Sequence, residues 1–179
     1  MSVLATVLLA FWLMLPAYIP NNAAVLFGGG PPVDGGRTWN GRRLLGDGKT
    51  WRGSAGGVLA GFVLALLLNQ IAPLDVLGAS LPEFPVTAAF GLALGAILGD
   101  MGASFVKRRT GRERGRPMPP LDQLDFVVGA FAVTLPLAHD WFVEQFTLDV
   151  VLVVVVITPL LHVSTNFIAY QLGLKDEPY

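Results

Sequence analysis

Five apolar stretches constrain this chain more than any other feature. They run approximately from Val3 to Ile19, Ser54 to Ala72, Val86 to Val106, Leu124 to His139 and Leu148 to Tyr170. A helix rises about 1.5 Å per residue and lipid offers no partner to an open backbone group, so roughly 20 apolar residues are needed to cross a hydrocarbon core. Only the fourth stretch is short. A composition of 53% hydrophobic and 14% charged residues over 179 positions is too apolar for an ordinary soluble domain. The expected fold is an all-α integral membrane protein of about five transmembrane helices, a single domain over residues 1–179 with the lipid bilayer as part of its solvent.

The net charge of -1 averages over two faces of opposite sign. Every Lys and Arg falls in one of three places: Arg37, Arg42, Arg43, Lys49 and Arg52; Lys107, Arg108, Arg109, Arg112, Arg114 and Arg116; and Lys175. Five spans put these segments on one side, which the positive-inside rule makes the cytoplasm. The N-terminus is then expected outside, the C-terminus inside, and two ordered cytoplasmic loops over about residues 21–53 and 107–121. The opposite loops carry acids, namely Asp75, Glu83, Asp140 and Glu144. A signal peptide is the competing reading of the first stretch, but it lacks a basic leading region and a clean cleavage site, and further spans follow. Cysteine is absent, which excludes disulfides, thiolate metal sites and cysteine nucleophiles.

The first loop contains Gly28-Gly-Gly-Pro-Pro-Val-Asp-Gly-Gly-Arg37 and, after it, Gly46-Asp-Gly-Lys-Thr-Trp-Arg-Gly53. Glycine and proline disfavour a regular helix here, so an ordered, turn-rich loop is expected. The second segment lacks the G-x-x-x-x-G-K-[ST] spacing of a Walker A motif. It keeps the physical ingredients of an anion site before a helix: glycines that let backbone N–H groups approach phosphate, Lys49, and the Thr50 hydroxyl. The second loop continues the third helix and ends in Arg116-Pro-Met-Pro-Pro120, where prolines forbid helix.

Asp100 follows fourteen apolar residues from Val86, about 21 Å of helix, and so lies in the cytoplasmic half of the membrane. A carboxylate there must be paired, hydrated or metal-bound. A packing salt bridge competes with a site role. Asp122 and Asp125 stand three apart at the start of the fourth helix, on one face and near its positive dipole end. Helix capping is the plain reading of that pair. Together with Asp100 they offer the hard oxygen donors that Mg²⁺ takes, with Mn²⁺ as its substitute. Topology and lipid headgroups account for part of the basic cluster. Its interleaving with Asp47, Asp100, Asp122 and Asp125 instead suggests metal-assisted phosphoryl or nucleotidyl transfer, which relies on positioning and charge neutralisation. His139 and His162 have no partner at metal-ligand spacing and read as structural hydrogen-bonding groups. Asn21 and Asn22 close the first helix as caps or reach toward the site.

These segments together resemble the CDP-archaeol synthases, archaeal relatives of the CDP-diacylglycerol synthase family of membrane cytidylyltransferases. The likeness runs over Pro20-Asn-Asn22, Gly28-Gly-Gly30, Gly46 to Gly53, Gly99 to Arg109, Pro117 to Asp125, His162 to Asn166 and Leu172-Gly-Leu174. Gly99 to Arg108 fits the family's G-D-x-x-x-S-x-x-K-R segment, Lys49-Thr-Trp-Arg-Gly53 its K-T-W-x-G segment, and Leu121-Asp-Gln-Leu-Asp125 the latter half of G-H-G-G-x-L-D-R-x-D. The first half of that last motif gives way to a proline-rich run, and Gln123 stands for its Arg, so no His or Arg role carries over.

The resemblance implies a CTP-dependent cytidylyltransferase that activates an isoprenoid ether lipid phosphate, with pyrophosphate released, at the cytoplasmic face. It implies Asp100, Asp122 and Asp125 as metal acids, with Lys107 beside them in catalysis. Asn22, Lys49, Thr50, Ser104, Lys107, Arg108, Arg112 and Arg116 are implied on CTP and its phosphates. No nucleic-acid partner is expected, and oligomeric state is not legible. The D-G-x-x-A-R and G-x-x-x-D-x-x-x-D pattern of the CDP-alcohol phosphotransferases is absent. A small transporter would spread its acids through the membrane depth, and a non-catalytic lipid-binding subunit would not bind CTP with metal.

Overall fold

The computed structural model describes residues 2–72, 80–111 and 121–171. These form six helices: α1 (Val3–Leu26), α2 (Trp51–Leu68), α3 (Val86–Arg109), α4 (Leu121–Leu137), α5 (His139–Gln145) and α6 (Leu148–Gln171). A two-stranded antiparallel ribbon, β1 (Thr38–Trp39) and β2 (Arg42–Arg43), lies in the loop before α2. Among the described residues the regular structure is all helical apart from that ribbon. Four helices, α1, α2, α3 and Leu148–Ile168 of α6, are long and apolar enough to cross a membrane. At 17 residues, α4 stands at the lower limit for a span. The stretch ending at His139 breaks at Ala138, and α5 follows as a separate turn-length helix.

α3 is central, packing on α1, α2 and α4. Its Ala89, Leu92 and Ala96 are fully buried in one cluster with Leu13, Met14 and Ala17 of α1 and Ala130 of α4, and its buried Ala93 faces Gly61 of α2. Close approach is made by glycines four apart. Gly91, Gly95 and Gly99 of α3 face α4, where a methyl group on Gly99 would stand 2.2 Å from the Asp125 carbonyl oxygen. Gly53, Gly57 and Gly61 of α2 face the α1 carbonyls of Ala24, Pro20 and Pro16. Without a hydrophobic driving force between helices in lipid, such small-residue seams let backbones touch and gain dispersion. α6 is the least buried of the four spanning helices, with Leu152, Val156, Leu160 and Phe167 exposed on a lipid-compatible face.

The first helix runs past the expected end at Ile19, through Pro16 and Pro20, to Leu26. Pro20 brings no N–H to the Pro16 carbonyl, and the Gly61 backbone lies against that freed oxygen. The first basic loop therefore starts after Leu26 rather than near residue 21, and Asn21 and Asn22 lie within helix. On the other face, the Trp12 and Trp141 indoles donate to the carbonyls of Pro82 and Glu83, each at 2.9 Å. The Asn69 amide brackets Phe84, accepting its N–H at 2.8 Å and donating to its carbonyl at 3.0 Å.

Candidate active site

The glycine-rich loop is organised around one buried acid. Asp34 accepts the N–H groups of Gly36, Leu45 and Gly46 at 3.1, 3.0 and 3.2 Å and the Arg43 guanidinium at 2.7 Å. Arg43 also pairs with Asp47. The guanidinium, helped by these amides and opposed by desolvation, holds the Asp34 carboxyl well below the usual carboxylate range. Val33 donates to the Lys49 carbonyl at 2.7 Å, closing the loop on itself. Thr50 is the buried N-cap of α2, its hydroxyl oxygen accepting the Gly53 N–H at 3.1 Å.

The ribbon turns at Asn40 and Gly41, with φ of 50° and 74°. Two successive positive-φ residues make the hairpin turn that an Asn-Gly pair favours. Arg109, at the end of α3, fastens this ribbon. It donates to the carbonyls of Trp39, Arg42 and Arg43 at 2.7, 3.1 and 2.8 Å, and its guanidinium lies 5.4 Å from the Trp39 ring and 5.5 Å from Phe105. Arg109 is thereby committed to the loop backbone. The neighbouring Arg108 guanidinium lies over Gly46, about 3.6 Å from where a side chain there would begin.

Asp100, Ser104, Lys107 and Arg108 follow one another at i, i+4, i+7 and i+8 along α3, which places them on one face. Asp100 pairs with Lys49 of the loop, and Lys107 pairs with Asp122 of α4 at 2.5 Å. The Gly95–Gly99 seam against Gly129 brings the first turn of α4 alongside Asp100. The Asp125 carboxylate accepts the adjacent Phe126 N–H at 2.6 Å. Among the described residues no three acids or histidines are arranged as one metal cage, the lysine ammonium groups standing against Asp100 and Asp122 instead.

Two cavities meet here. The smaller, about 220 Å³, lies under the glycine loop between α1, α2 and α3, and its lining includes Asn21, Lys49, Thr50, Ser54, Ile97 and Asp100. The larger, about 680 Å³ and mostly apolar, lies between α1, α4 and α6 and takes in Asn22, Lys107, Asp122, Asp125, His162 and Asn166. Asn21 and Asp100 line both. Of the sequence-derived candidates, Asp100, Asp122, Asp125, Lys107, Lys49, Thr50 and Asn22 thus border the two cavities. Ser104 and Arg108 sit on the same α3 face but outside the two linings. Arg112 and Arg116, with Asp75, Arg114 and Lys175, lie outside the described residues.

Sequence reasoning noted His162 to Asn166 in the family likeness but gave α6 no part in the site, where it walls the larger cavity. Thr158, His162, Thr165 and Asn166 recur at helical spacing on an otherwise apolar helix, a polar stripe that was legible. Tyr18 and Thr158 share a hydrogen bond of 2.9 Å between α1 and α6. His139, by contrast, is exposed beside Asp140, on α5 and outside both cavities.

The CarS-like family, described as CDP-archaeol synthase, matches residues 3–179. The chain belongs to the CDP-archaeol synthase family. It is 63% identical to the CDP-archaeol synthase of Halorubrum lacusprofundi over 95% of this chain and 96% of the relative. Identity is 64% to that of Haloarcula marismortui, over the whole of both chains. The more distant Methanosarcina barkeri synthase is 47% identical over 93% of this chain and all of its own. A solved structure of an intramembrane enzyme for archaeal membrane lipid biosynthesis superimposes with a TM-score of 0.71 at 42% identity, covering 88% of this chain and 92% of that one. As a member of this family the chain is an enzyme, a nucleotidyltransferase of the membrane with several spanning helices.

Proposed function

We propose that the chain transfers the cytidylyl group of CTP to an isoprenoid ether lipid phosphate, a digeranylgeranylglyceryl phosphate, giving the CDP-lipid and pyrophosphate. The observation that carries this reading is the meeting of a small polar cavity and a larger apolar one at Asp100. A nucleotide suits the first, beside Lys49 and Thr50 at the start of α2. Isoprenoid tails suit the second, which reaches along the apolar flanks of α1 and α6. A phosphate oxygen of the lipid attacks the α-phosphorus of CTP, the bond from that phosphorus to the bridging oxygen breaks, and pyrophosphate leaves. No covalent enzyme intermediate is needed.

The donor set fits Mg²⁺, or Mn²⁺ in its place, because three carboxylates, which are hard oxygen ligands, border one cavity, and the ammonium groups paired with two of them here would give way to the ion. Asp100, Asp122 and Asp125 would hold the ion, which when bound offsets charge on the triphosphate. Lys49 and Lys107 are each poised between a carboxylate and a cavity, so they orient phosphates and stabilise the charge of the transition state. Arg108, with Arg112 and Arg116 of the second loop, would extend this basic rim. Clustering of the site with basic residues supports a cytoplasmic active-site face.

The test is incorporation of radiolabelled CTP into lipid by the detergent-purified chain with Mg²⁺ and a digeranylgeranylglyceryl phosphate. Metal-dependent product that Asp122→Asn abolishes supports the reading. CTP binding without product would mean a different acceptor, and absence of CTP binding would return the chain to a transporter or non-catalytic subunit.

A further inference from the structure

Asn21 is the one neutral polar side chain shared by both cavities. Its amide oxygen is buried and has no hydrogen-bond partner among the described residues. Its neighbour Asn22 behaves differently, being exposed and donating to the Tyr18 carbonyl one turn back at 3.3 Å. A buried acceptor left without a donor carries a desolvation cost that a bound donor removes. The nearby ammonium groups are engaged, Lys49 with Asp100 and Lys107 with Asp122. Phosphate oxygens at neutral pH only accept. The donors a nucleoside triphosphate carries are the ribose hydroxyls and, on cytosine, the exocyclic amine.

The smaller cavity fits the base. Ala24, Val25, Ile97 and Met101 give it apolar walls for a ring, its size of about 220 Å³ suits one pyrimidine, and Lys49 and Asp100 border it where the phosphates would leave. We propose that Asn21 reads the base, its side-chain oxygen accepting a hydrogen bond from the cytosine amine; this rests on the nucleotidyl-transfer reading above. Uracil presents a carbonyl oxygen at that position, so the same acceptor would face another acceptor and reject UTP. A contact of this kind discriminates because the analogue leaves a buried polar group unpaired.

The experiment compares CTP, UTP and dCTP as donors for the full chain in detergent with Mg²⁺ and the lipid phosphate. Wild type prefers CTP. Asn21→Ala narrows the ratio of kcat/KM for CTP over UTP by about tenfold or more, while the ratio of CTP over dCTP stays as in wild type. Asn21→Asp retains an acceptor and keeps the preference for CTP. Each ratio is taken within one preparation and is unaffected by its active fraction. If Asn21→Ala is inactive, its affinities for CTP and UTP by calorimetry give the ratio instead, with equal affinities supporting the contact. Equal loss with CTP and UTP, a changed ribose ratio, or Asn21→Asp behaving like Asn21→Ala overturns the assignment. A wild type that makes no CDP-lipid and binds no CTP overturns the parent reading, and the base contact with it.

Discussion

Single acids do different work in this chain, and their surroundings decide which. Asp34 has all its partners within the loop, where it shapes the strand of backbone that ends in Lys49. Asp34→Asn removes the charge that binds Arg43, so the loop loosens and activity falls by the order of tenfold to a hundredfold, as misplaced groups do. The pH dependence follows from the sign of its shift. A carboxyl with a folded pKa below its unfolded value of about 3.9 stabilises fully above that pH, and the contribution is lost as pH falls through the folded value. The protection factors of the amides over residues 34–46 are therefore expected to be flat from neutrality to about pH 5 and to fall in stronger acid. The Asp34→Asn chain should exchange fast throughout; identical profiles would refute this role. At the site itself, Lys107→Ala leaves Asp122 without its ammonium partner, and turnover is expected to drop about a hundredfold with the fold retained. Asp100, Asp122 and Asp125 were legible as a group because a carboxylate in an apolar stretch demands a partner. Asp34 was not, since nothing in Val-Asp-Gly-Gly foretells which distant amides it will collect.

At the level of elements, glycine seams hold the acids in place. Gly99→Ala puts a methyl group 2.2 Å from the Asp125 carbonyl, forcing α3 and α4 apart. Overpacking of this kind costs about 1–3 kcal/mol, and the shift separates Asp100 from the α4 acids. Gly102→Ala, one turn of α3 away with nothing within 4 Å, serves as the control. It should keep activity and melt at or slightly above the wild-type temperature, because alanine is the better helix former by about 1 kcal/mol. Equal thermal stability of the two variants in detergent would contradict the seam. Arg109→Lys trades three carbonyl contacts and a two-ring stack for one point charge. Faster amide exchange confined to residues 38–43 is the expected signature. The five apolar stretches gave the helices readily, since hydropathy is a local property. Pro20 disguised the end of α1, because a proline usually marks a boundary and here a glycine on another helix accommodates it. The Asn40-Gly41 pair was a readable hairpin signal, but the flanking residues lack the apolar alternation that normally accompanies it.

Across the whole molecule, charge and cavity point the same way. The first basic loop, the basic end of α3, the Lys49–Asp100 and Lys107–Asp122 pairs and both cavities gather at one end of the bundle, whereas the Trp12, Asn69 and Trp141 contacts close the other. The chain has no cysteine, so single cysteines report sidedness directly. In sealed cells, Thr38→Cys is expected to resist a membrane-impermeant maleimide and Glu83→Cys to react; the reverse would invert the topology. Family and reaction class were readable from motif spacing, whereas the partition of the site into two cavities was not, because it depends on how α6 leans on α1. That partition makes one-step transfer between two bound substrates the central claim. It is tested most directly by running the reaction with CTP labelled at either its α- or its γ-phosphorus. The account predicts α-label in the lipid, γ-label in pyrophosphate, and neither without both substrates and Mg²⁺. Label from the γ-position in lipid, or label from CTP held on the protein before the lipid phosphate is added, would contradict it.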